Sequence, residues 1–378
     1  MAEAFKNLIN AEVVQTIAHH VGRAWRGFDR PAFAALALAG LDGLELKARV
    51  LQLAQALAAT LPAEVDRAAG ILEASLGPPG AGDDLSQLRT SEAGLAGWAV
   101  WPLTEAIALI AAEHAPERGL AALHAMTQRL TAEFAIRPFL IQHPALGFET
   151  LQRWVHDPSA HVRRLVSEGS RPRLPWGLRL QALVVDPSPT LPLLRALQDD
   201  SSAYVRRSVA NHLNDIAKDH PALVARWLAE HLPDASAERR ALLHHASRGL
   251  IKQGDAAVLA AWGLGAAFRG RVALALSPGT VTVGDTLQLT VQLHGTARQP
   301  QRLAIDYAVH HVKAAGHTTP KVFKGWVIEL APGESRQLEK RHSMKAVTTR
   351  RYHPGAHALD LRINGQVVGE AGFVLALA

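Results

Sequence analysis

The residues best suited to chemistry gather in one short stretch. Gly169-Ser-Arg-Pro-Arg-Leu-Pro-Trp-Gly177 holds two arginines, two prolines and a tryptophan directly after Glu168. Proline fixes its own φ, so the segment is stiff. Just before it, and again 43 residues later, stand the doublets Arg163-Arg164 and Arg206-Arg207. The second arginine of each lies about 100° further round a helix than the first, which makes Arg164 and Arg207 candidates for holding a phosphate. Other chemistries are excluded. The chain has no cysteine, hence no disulfide, thiolate zinc site, iron–sulfur cluster or cysteine nucleophile. Neither a Gly-x-x-x-x-Gly-Lys phosphate loop nor a His-Glu-x-x-His metal pair occurs. His19-His20 and His244-His245 are consecutive on helical segments, so their side chains diverge. No metal or cofactor is expected.

The elements that must position these residues fall into two kinds. Up to Phe268 the chain is rich in Ala and Leu, with apolar residues every three or four positions, as in Leu46–Ala54 and Ala106–Ile110; both read as amphipathic helices. Gly77-Pro-Pro-Gly-Ala-Gly82 breaks the pattern. After Arg271 the period becomes two. Leu287, Leu289, Val291 and Leu293 alternate with polar neighbours, as do Leu303, Ile305, Tyr307 and Val309, and Leu359, Leu361 and Ile363. Pro278-Gly279, Pro332-Gly333, Pro354-Gly355 and Asn364-Gly365 separate the runs, the last suiting a two-residue hairpin. About seven short strands fit an immunoglobulin-like sandwich. The fold class expected is therefore mostly α, a helical-repeat solenoid over 1–268, followed by a small all-β sandwich over 271–378.

Charge divides unevenly between them. Residues 1–270 carry 27 basic and 27 acidic side chains, whereas residues 271–378 carry 13 and 7 and so hold the whole net charge of +6. A basic module on a neutral body suggests an anionic partner, most simply nucleic acid. The longest stretch without a charged residue, Val50–Ala63, has 14 residues, short of the roughly 20 needed to span a bilayer. The opening Met1-Ala-Glu-Ala-Phe-Lys6 lacks the layout of a secretory signal. A cytoplasmic protein with no membrane partner is expected, associated with the nucleoid when bound to DNA, and a monomer suffices for this architecture.

The helical half repeats itself. A shift of 43 residues pairs Pro144, Leu151, Asp157, Ser159 and Val162-Arg163-Arg164 with Pro187, Leu194, Asp200, Ser202 and Val205-Arg206-Arg207. A further shift of 34 pairs Pro187, Leu194, Asp200 and Arg206 with Pro221, Leu228, Asp234 and Arg240. Such helix pairs are of HEAT type. The first copy is nine residues longer, and the surplus falls around Gly169–Gly177. Stacking gains nothing from such an insertion, whereas functional insertions project from one face. The six-residue spacing of Asp157/Arg163, Asp200/Arg206 and Asp234/Arg240 reads as a structural ladder within each repeat.

Three long motifs carry a specific resemblance. Thr131-Ala-Glu-Phe-Ala-Ile-Arg-Pro-Phe139, His161-Val-Arg-Arg-Leu-Val-Ser-Glu-Gly-Ser-Arg-Pro-Arg-Leu-Pro-Trp176 and Val205-Arg-Arg-Ser-Val-Ala-Asn-His-Leu-Asn-Asp215, supported by Gly97-Trp-Ala-Val-Trp-Pro-Leu-Thr-Glu105, resemble the AlkC-type DNA alkylation-repair glycosylases. The resemblance covers most of residues 90–230. It implies a HEAT-like domain that cleaves the N-glycosidic bond of cationic bases such as 3-methylcytosine and 3-methyladenine in duplex DNA, without the pocket into which most glycosylases flip a base. Some relatives add an immunoglobulin-like domain that helps to encircle the duplex.

Glu133, Glu168 and Asp215 are the acids inside the three motifs and are the candidate catalytic groups, with Trp176. A base methylated at such a ring nitrogen, as in 3-methylcytosine or 3-methyladenine, is cationic and leaves without protonation. What remains is to stabilise positive charge on the deoxyribose and to hold a water, which carboxylates and an aromatic face can do. Arg164, Arg171, Arg173 and Arg207 are expected at phosphates, with Asn211 as a polar helper. In the terminal domain His310-His311, Lys313, Lys321, Lys324 and Arg350-Arg351-Tyr352-His353 are candidate DNA contacts. Each acid also has a plain structural reading: Glu133 and Arg137 as an i, i+4 helical pair, Glu168 as the partner of Arg164, Asp215 in local backbone bonding, Trp176 as a plug between repeats. The alternatives to an enzyme are a non-catalytic HEAT-repeat DNA-binding module and a protein-interaction scaffold.

Overall fold

A computed structural model of the chain describes residues 5–80, 82–347 and 350–377. Met1–Ala4 of the opening stretch and Ala81 of the Gly–Pro break lie outside the described residues. Among the described residues, fifteen α-helices occupy the first part: α1 (Ala11–Ala24), α2 (Arg30–Leu38), α3 (Leu46–Thr60), α4 (Val65–Ala74), α5 (Trp101–Ala111), α6 (Pro116–Thr127), α7 (Arg137–Gln142), α8 (Pro144–Trp154), α9 (Ala160–Gly169), α10 (Gln181–Val185), α11 (Leu191–Leu197), α12 (Ala203–Ile216), α13 (Pro221–His231), α14 (Ala237–Gln253) and α15 (Ala256–Ala261). Several begin with proline at their first or second position, where the missing N–H costs nothing. Among the described residues, no helix is long and apolar enough to cross a membrane.

The chain forms two compact units. One runs to Asp219 and takes in Ala237–Leu242; the other comprises His220–Ser236 and the residues from Leu243 onward. In the first unit the repeat appears as the helix pairs α8/α9 and α11/α12. α9 buries Val162, Leu165 and Val166, and α12 buries Val205, Val209 and Leu213, all fully enclosed. The two helices pack side by side. Their register is held by arginine, though in a different pattern from the ladder expected within each repeat. Arg163 donates to the backbone carbonyls of Asp157 and Pro158 in its own turn, and its guanidinium forks onto the Asp200 carboxylate of the next copy at 2.6 and 3.0 Å. Arg206 repeats the contacts to its own turn, at the carbonyls of Asp200 and Ser201. The aspartates accept the N–H two residues on, Ser159 and Ser202. The pairing therefore crosses from one copy to the next, because an arginine in the first helical turn reaches the open turn below it and the neighbouring turn at once.

The second unit contains the sandwich: β1 (Gly270–Ser277), β2 (Thr280–Thr282), β3 (Thr286–Gly295), β4 (Gln301–Val312), β5 (Thr318–Leu330), β6 (Ser335–Ser343), β7 (Gly355–Ile363) and β8 (Gln366–Ala376). A three-stranded sheet has the order β1-β3-β6, and a five-stranded sheet the order β2-β8-β7-β4-β5, in which β2 alone is parallel to its neighbour. The eighth strand, beyond about seven expected, is the three-residue β2. The alternating residues read from the sequence form the core: Leu287, Leu289, Val291, Leu303, Ile305, Tyr307, Val309, Leu359, Leu361 and Ile363. Asn364 and Gly365 both have positive φ, 50° and 79°, as the hairpin between β7 and β8 demands.

The inter-repeat pair makes a checkable statement. Arg163→Met leaves the nearly buried Asp200 carboxylate without its guanidinium and is expected to cost about 3 kcal/mol, read as a lowered midpoint in urea denaturation.

Candidate active site

The three motif acids belong to one row of alternating charge, largely enclosed and reaching solvent at Lys218. Glu133 lies in the turn before α7, Glu168 in the last turn of α9 and Asp215 in the last turn of α12. Arg164 Nη1 donates to Glu133 Oε2 at 2.6 Å, and its Nη2 stands 3.7 Å from Glu168 Oε1. Arg171 Nη1 donates to the same Oε1 at 2.5 Å and, through Nε and Nη2, holds Asp215 Oδ2 at 2.8 Å. Lys218 Nζ takes the other Asp215 oxygen at 2.8 Å. Ser208 on α12 donates to Glu168 Oε2 at 2.6 Å, and Thr131 to Glu133 Oε2 at 2.9 Å. The order is Glu133, Arg164, Glu168, Arg171, Asp215, Lys218.

Burial alone pushes the Glu168 carboxyl up, but Arg164, Arg171 and the Ser208 hydroxyl outweigh it, and the net pKa lies below the ordinary value. Glu168 is ionised at neutral pH. Burial acts against the charge of Arg164 also, yet Glu133 and Glu168 raise its pKa above the usual value. The Arg164 guanidinium lies over the Tyr204 ring, 5.0 Å from its centroid.

Glu133 and Glu168 open on one cavity of about 330 Å³, lined also by Trp98, Trp101, Phe134, Arg171, Leu174 and Trp176. Trp101 and Phe134 stack at 5.3 Å, and Trp98 leans on Trp101 at 5.9 Å, giving a continuous aromatic wall. Asp215 is not part of the lining; it is 1% exposed and stands behind Arg171. Trp176 is 68% exposed and forms the rim. Gly177 N–H donates to the Leu174 carbonyl at 3.1 Å, Pro175 follows Leu174, and Trp176 has φ +65°. This is a type II turn, whose third position normally takes glycine. A left-handed L-residue costs about 1–2 kcal/mol, so the indole is held out by a strained backbone.

The remaining residues singled out in the sequence lie as follows. Arg164 and Arg171, expected at phosphates, turn inward to carboxylates, because two buried acids flank each of them. Arg173 forks onto Asp219 at 2.7 Å through both Nε and Nη2. Arg207 stands on the exposed face of α12, with Asn211 half-buried one turn on. Arg350 Nη1 donates to His311 Nε2 at 2.7 Å, and Arg351 is exposed. Glu133 is not paired with Arg137 on a helix. Arg137 is the largest fully buried side chain, and it donates to the carbonyls of Gly169 and Leu178. Burial, with Arg171 nearby, lowers its pKa to about 10. Trp98, Trp101 and Phe134 received no role from sequence, although all three sit inside the motifs that carry the resemblance. Among the described residues no cluster of His, Asp and Glu could hold a metal.

A helical-repeat unit with a buried row of acids beside an aromatic cleft, joined to a basic β-sandwich, defines a class that comparison with known proteins names. The family described as the C-terminal Ig-like domain of the uncharacterised protein YhaZ matches residues 271–377. The uncharacterised protein YhaZ of Bacillus subtilis (strain 168) is 35% identical over 371 residues, covering 97% of this chain and 98% of that protein. The structure of the Pseudomonas fluorescens alkylpurine DNA glycosylase AlkC, bound to DNA containing an abasic site analog, superimposes with a TM-score of 0.89 and 34% identity, over 99% of this chain and 100% of that one. The chain belongs to the AlkC family of DNA alkylation-repair glycosylases, in the form that carries a C-terminal immunoglobulin-like domain.

Two measurements probe the site's physics. Trp176→Asn suits the left-handed turn and is expected to keep or raise the thermal midpoint despite loss of the indole. His212, fully buried on α12, donates from Nδ1 to the Ser167 carbonyl at 2.9 Å, and burial lowers its pKa to about 4. Its unfolded pKa is higher, so the unfolded chain binds the extra proton first. Stability is full above about pH 6.5 and falls by roughly 3 kcal/mol as the pH drops to about 4. His212→Asn, compared by urea denaturation at several pH values, is expected to flatten that slope.

Proposed function

We propose that this chain is a monofunctional DNA glycosylase that hydrolyses the N-glycosidic bond of cationic N-methylated bases, such as 3-methyladenine and 3-methylcytosine, in duplex DNA without a base-flipping pocket. The observation that carries this reading is the meeting of Glu133, Glu168 and the Trp176 indole at one aromatic-walled cavity. A cationic base departs unprotonated, and the sugar left behind becomes oxocarbenium-like. Glu168, pinned by Arg171 and Ser208 and kept ionised, faces that charge without having to reorganise. Both bonds to Glu133 use Oε2, so Oε1 is the oxygen that holds the water and accepts its proton as attack on the anomeric carbon proceeds. The products are the free base and an abasic site. Trp176 and the wall of Trp98, Trp101 and Phe134 supply π faces to the cationic centre. Asp215 acts through Arg171, fixing the guanidinium that fixes Glu168.

Duplex DNA is the proposed partner, and the chain acts as a monomer with residues 1–268 as the catalytic domain and 271–378 as the DNA-binding accessory. The surplus of basic residues in the second segment supports this, as does the DNA present in the AlkC structure. Arg173 on the spur and Arg207 and Asn211 on α12 serve the phosphates around the lesion, while Arg350 and Arg351 serve them in the sandwich.

Base release from a duplex with one 3-methylcytosine, followed as alkali-labile strand breaks, tests the reading. Glu168→Gln is expected to slow release about 100-fold with little change in affinity for the duplex, and Asp215→Asn to have a smaller effect of the same kind. Salt-sensitive binding by the wild type with no base released would show a binding module, and neither binding nor release a protein scaffold. Replacing Arg350 and Arg351 together by alanine is expected to reduce the slope of log affinity against log salt by about 2.

A further inference from the structure

The Trp176 turn is tied down at three backbone carbonyls, and two side chains from elsewhere in the unit do the tying. Arg137, wholly enclosed, donates from Nη1 to the Gly169 carbonyl at 2.8 Å and from Nε to the Leu178 carbonyl. It thereby clamps both ends of the insertion. The turn packs directly on it: a Cβ on Gly177 would stand 3.3 Å from Arg137 Cδ and Nε. Pro172 O accepts the Leu180 N–H and closes the neck. None of these bonds reaches Trp176 itself.

That contact comes from far away in the chain. Lys47, at the start of α3, donates from Nζ to the Trp176 carbonyl at 2.7 Å, across 129 residues of sequence. Lys47 is exposed and has no part in the core. It also lies close enough to Glu105 on α5 for its charge to favour that carboxylate, whose pKa burial nonetheless raises. Glu105 Oε1 in turn accepts the indole N–H of Trp101, a residue of the cavity wall, at 3.2 Å. Lys47 therefore stands between the fixed aromatic wall and the strained rim.

We propose that Lys47 is a positioning residue that, together with the clamp of Arg137, holds the left-handed Trp176 turn over the cavity. This rests on the glycosylase reading above and goes beyond it, because it gives the early helix α3 a part in the reaction. A left-handed tryptophan tends to relax toward negative φ. A hydrogen bond from Lys47 Nζ to the Trp176 carbonyl fixes the peptide between Trp176 and Gly177 and so anchors the turn on the C-terminal side of the indole. Arg137 holds the insertion in place, and Lys47 anchors the backbone of the turn at its tip.

The test uses the full-length chain labelled with 5-fluorotryptophan, the Trp176 resonance being assigned with Trp176→Phe. In Lys47→Met the Trp176 fluorine signal is expected to shift or broaden while the other tryptophan signals stay in place. Single-turnover release of 3-methylcytosine is expected to slow about tenfold, while affinity for a duplex with an abasic-site analogue changes less than about twofold. Lys47→Arg, which keeps a donor, is expected to restore both signal and rate. An unchanged Trp176 signal in Lys47→Met overturns the proposal. So does an equal loss of affinity and rate, which would make Lys47 a DNA contact. If the wild type releases no base, the glycosylase reading fails, whereas the fluorine signal, recorded without DNA, still decides whether Lys47 holds the turn.

Discussion

The site depends on the buried guanidinium of Arg171. It touches both Glu168 and Asp215, and it joins the end of α9 to the end of α12. An ionised carboxylate taken out of water carries a desolvation cost of several kcal/mol unless it is paired and hydrogen-bonded. Each acid in the row meets that condition through a cation and, for Glu133 and Glu168, a hydroxyl. Apolar packing of the same volume would stabilise the helices at least as well. The row keeps the Glu168 carboxylate ionised at the edge of an aromatic cavity.

The same region stores strain. Leu174-Pro-Trp-Gly177 adopts a turn that favours glycine at its third position, yet it places tryptophan there, exposed and on the cavity rim. Such a residue persists only where its surroundings over-determine it. Here the surroundings are a buried arginine below, a lysine at the side and glycines at 169 and 177. At Gly169 any Cβ would fall 2.6 Å from Ile136. By stability alone glycine would suit this position better.

In the sandwich, histidines are handled in the same low-dielectric way. Burial and the neighbouring Arg350 bring His311 to about 3, and burial brings His342 to about 4. Both are neutral at physiological pH and add nothing to the positive charge of this segment. Arg350 spends one of its donors on the neutral His311 ring, which fixes its base and leaves Arg351 beside it in solvent.

Much of this was legible in the sequence. Period-two alternation predicted the β-sandwich core because only one face of each strand is buried, and Asn364-Gly365 predicted its hairpin because both residues tolerate positive φ. The 43- and 34-residue shifts exposed the insertion, since stacked helix pairs have no use for nine extra residues. The long motifs were enough to suggest the family. What the sequence did not contain was partnership. Glu133 was as well placed for Arg137 as for Arg164, and Arg171 as well suited to a phosphate as to Asp215. Side chains separated by 30 to 130 residues meet only when helices pack, so tertiary structure alone decided that Arg164 and Arg171 face inward, that Asp215 stands behind the cavity, and that Lys47 reaches Trp176. Local pattern dictates which face of an element is apolar; the desolvation of buried charge dictates which cation each acid takes, and that depends on three-dimensional proximity.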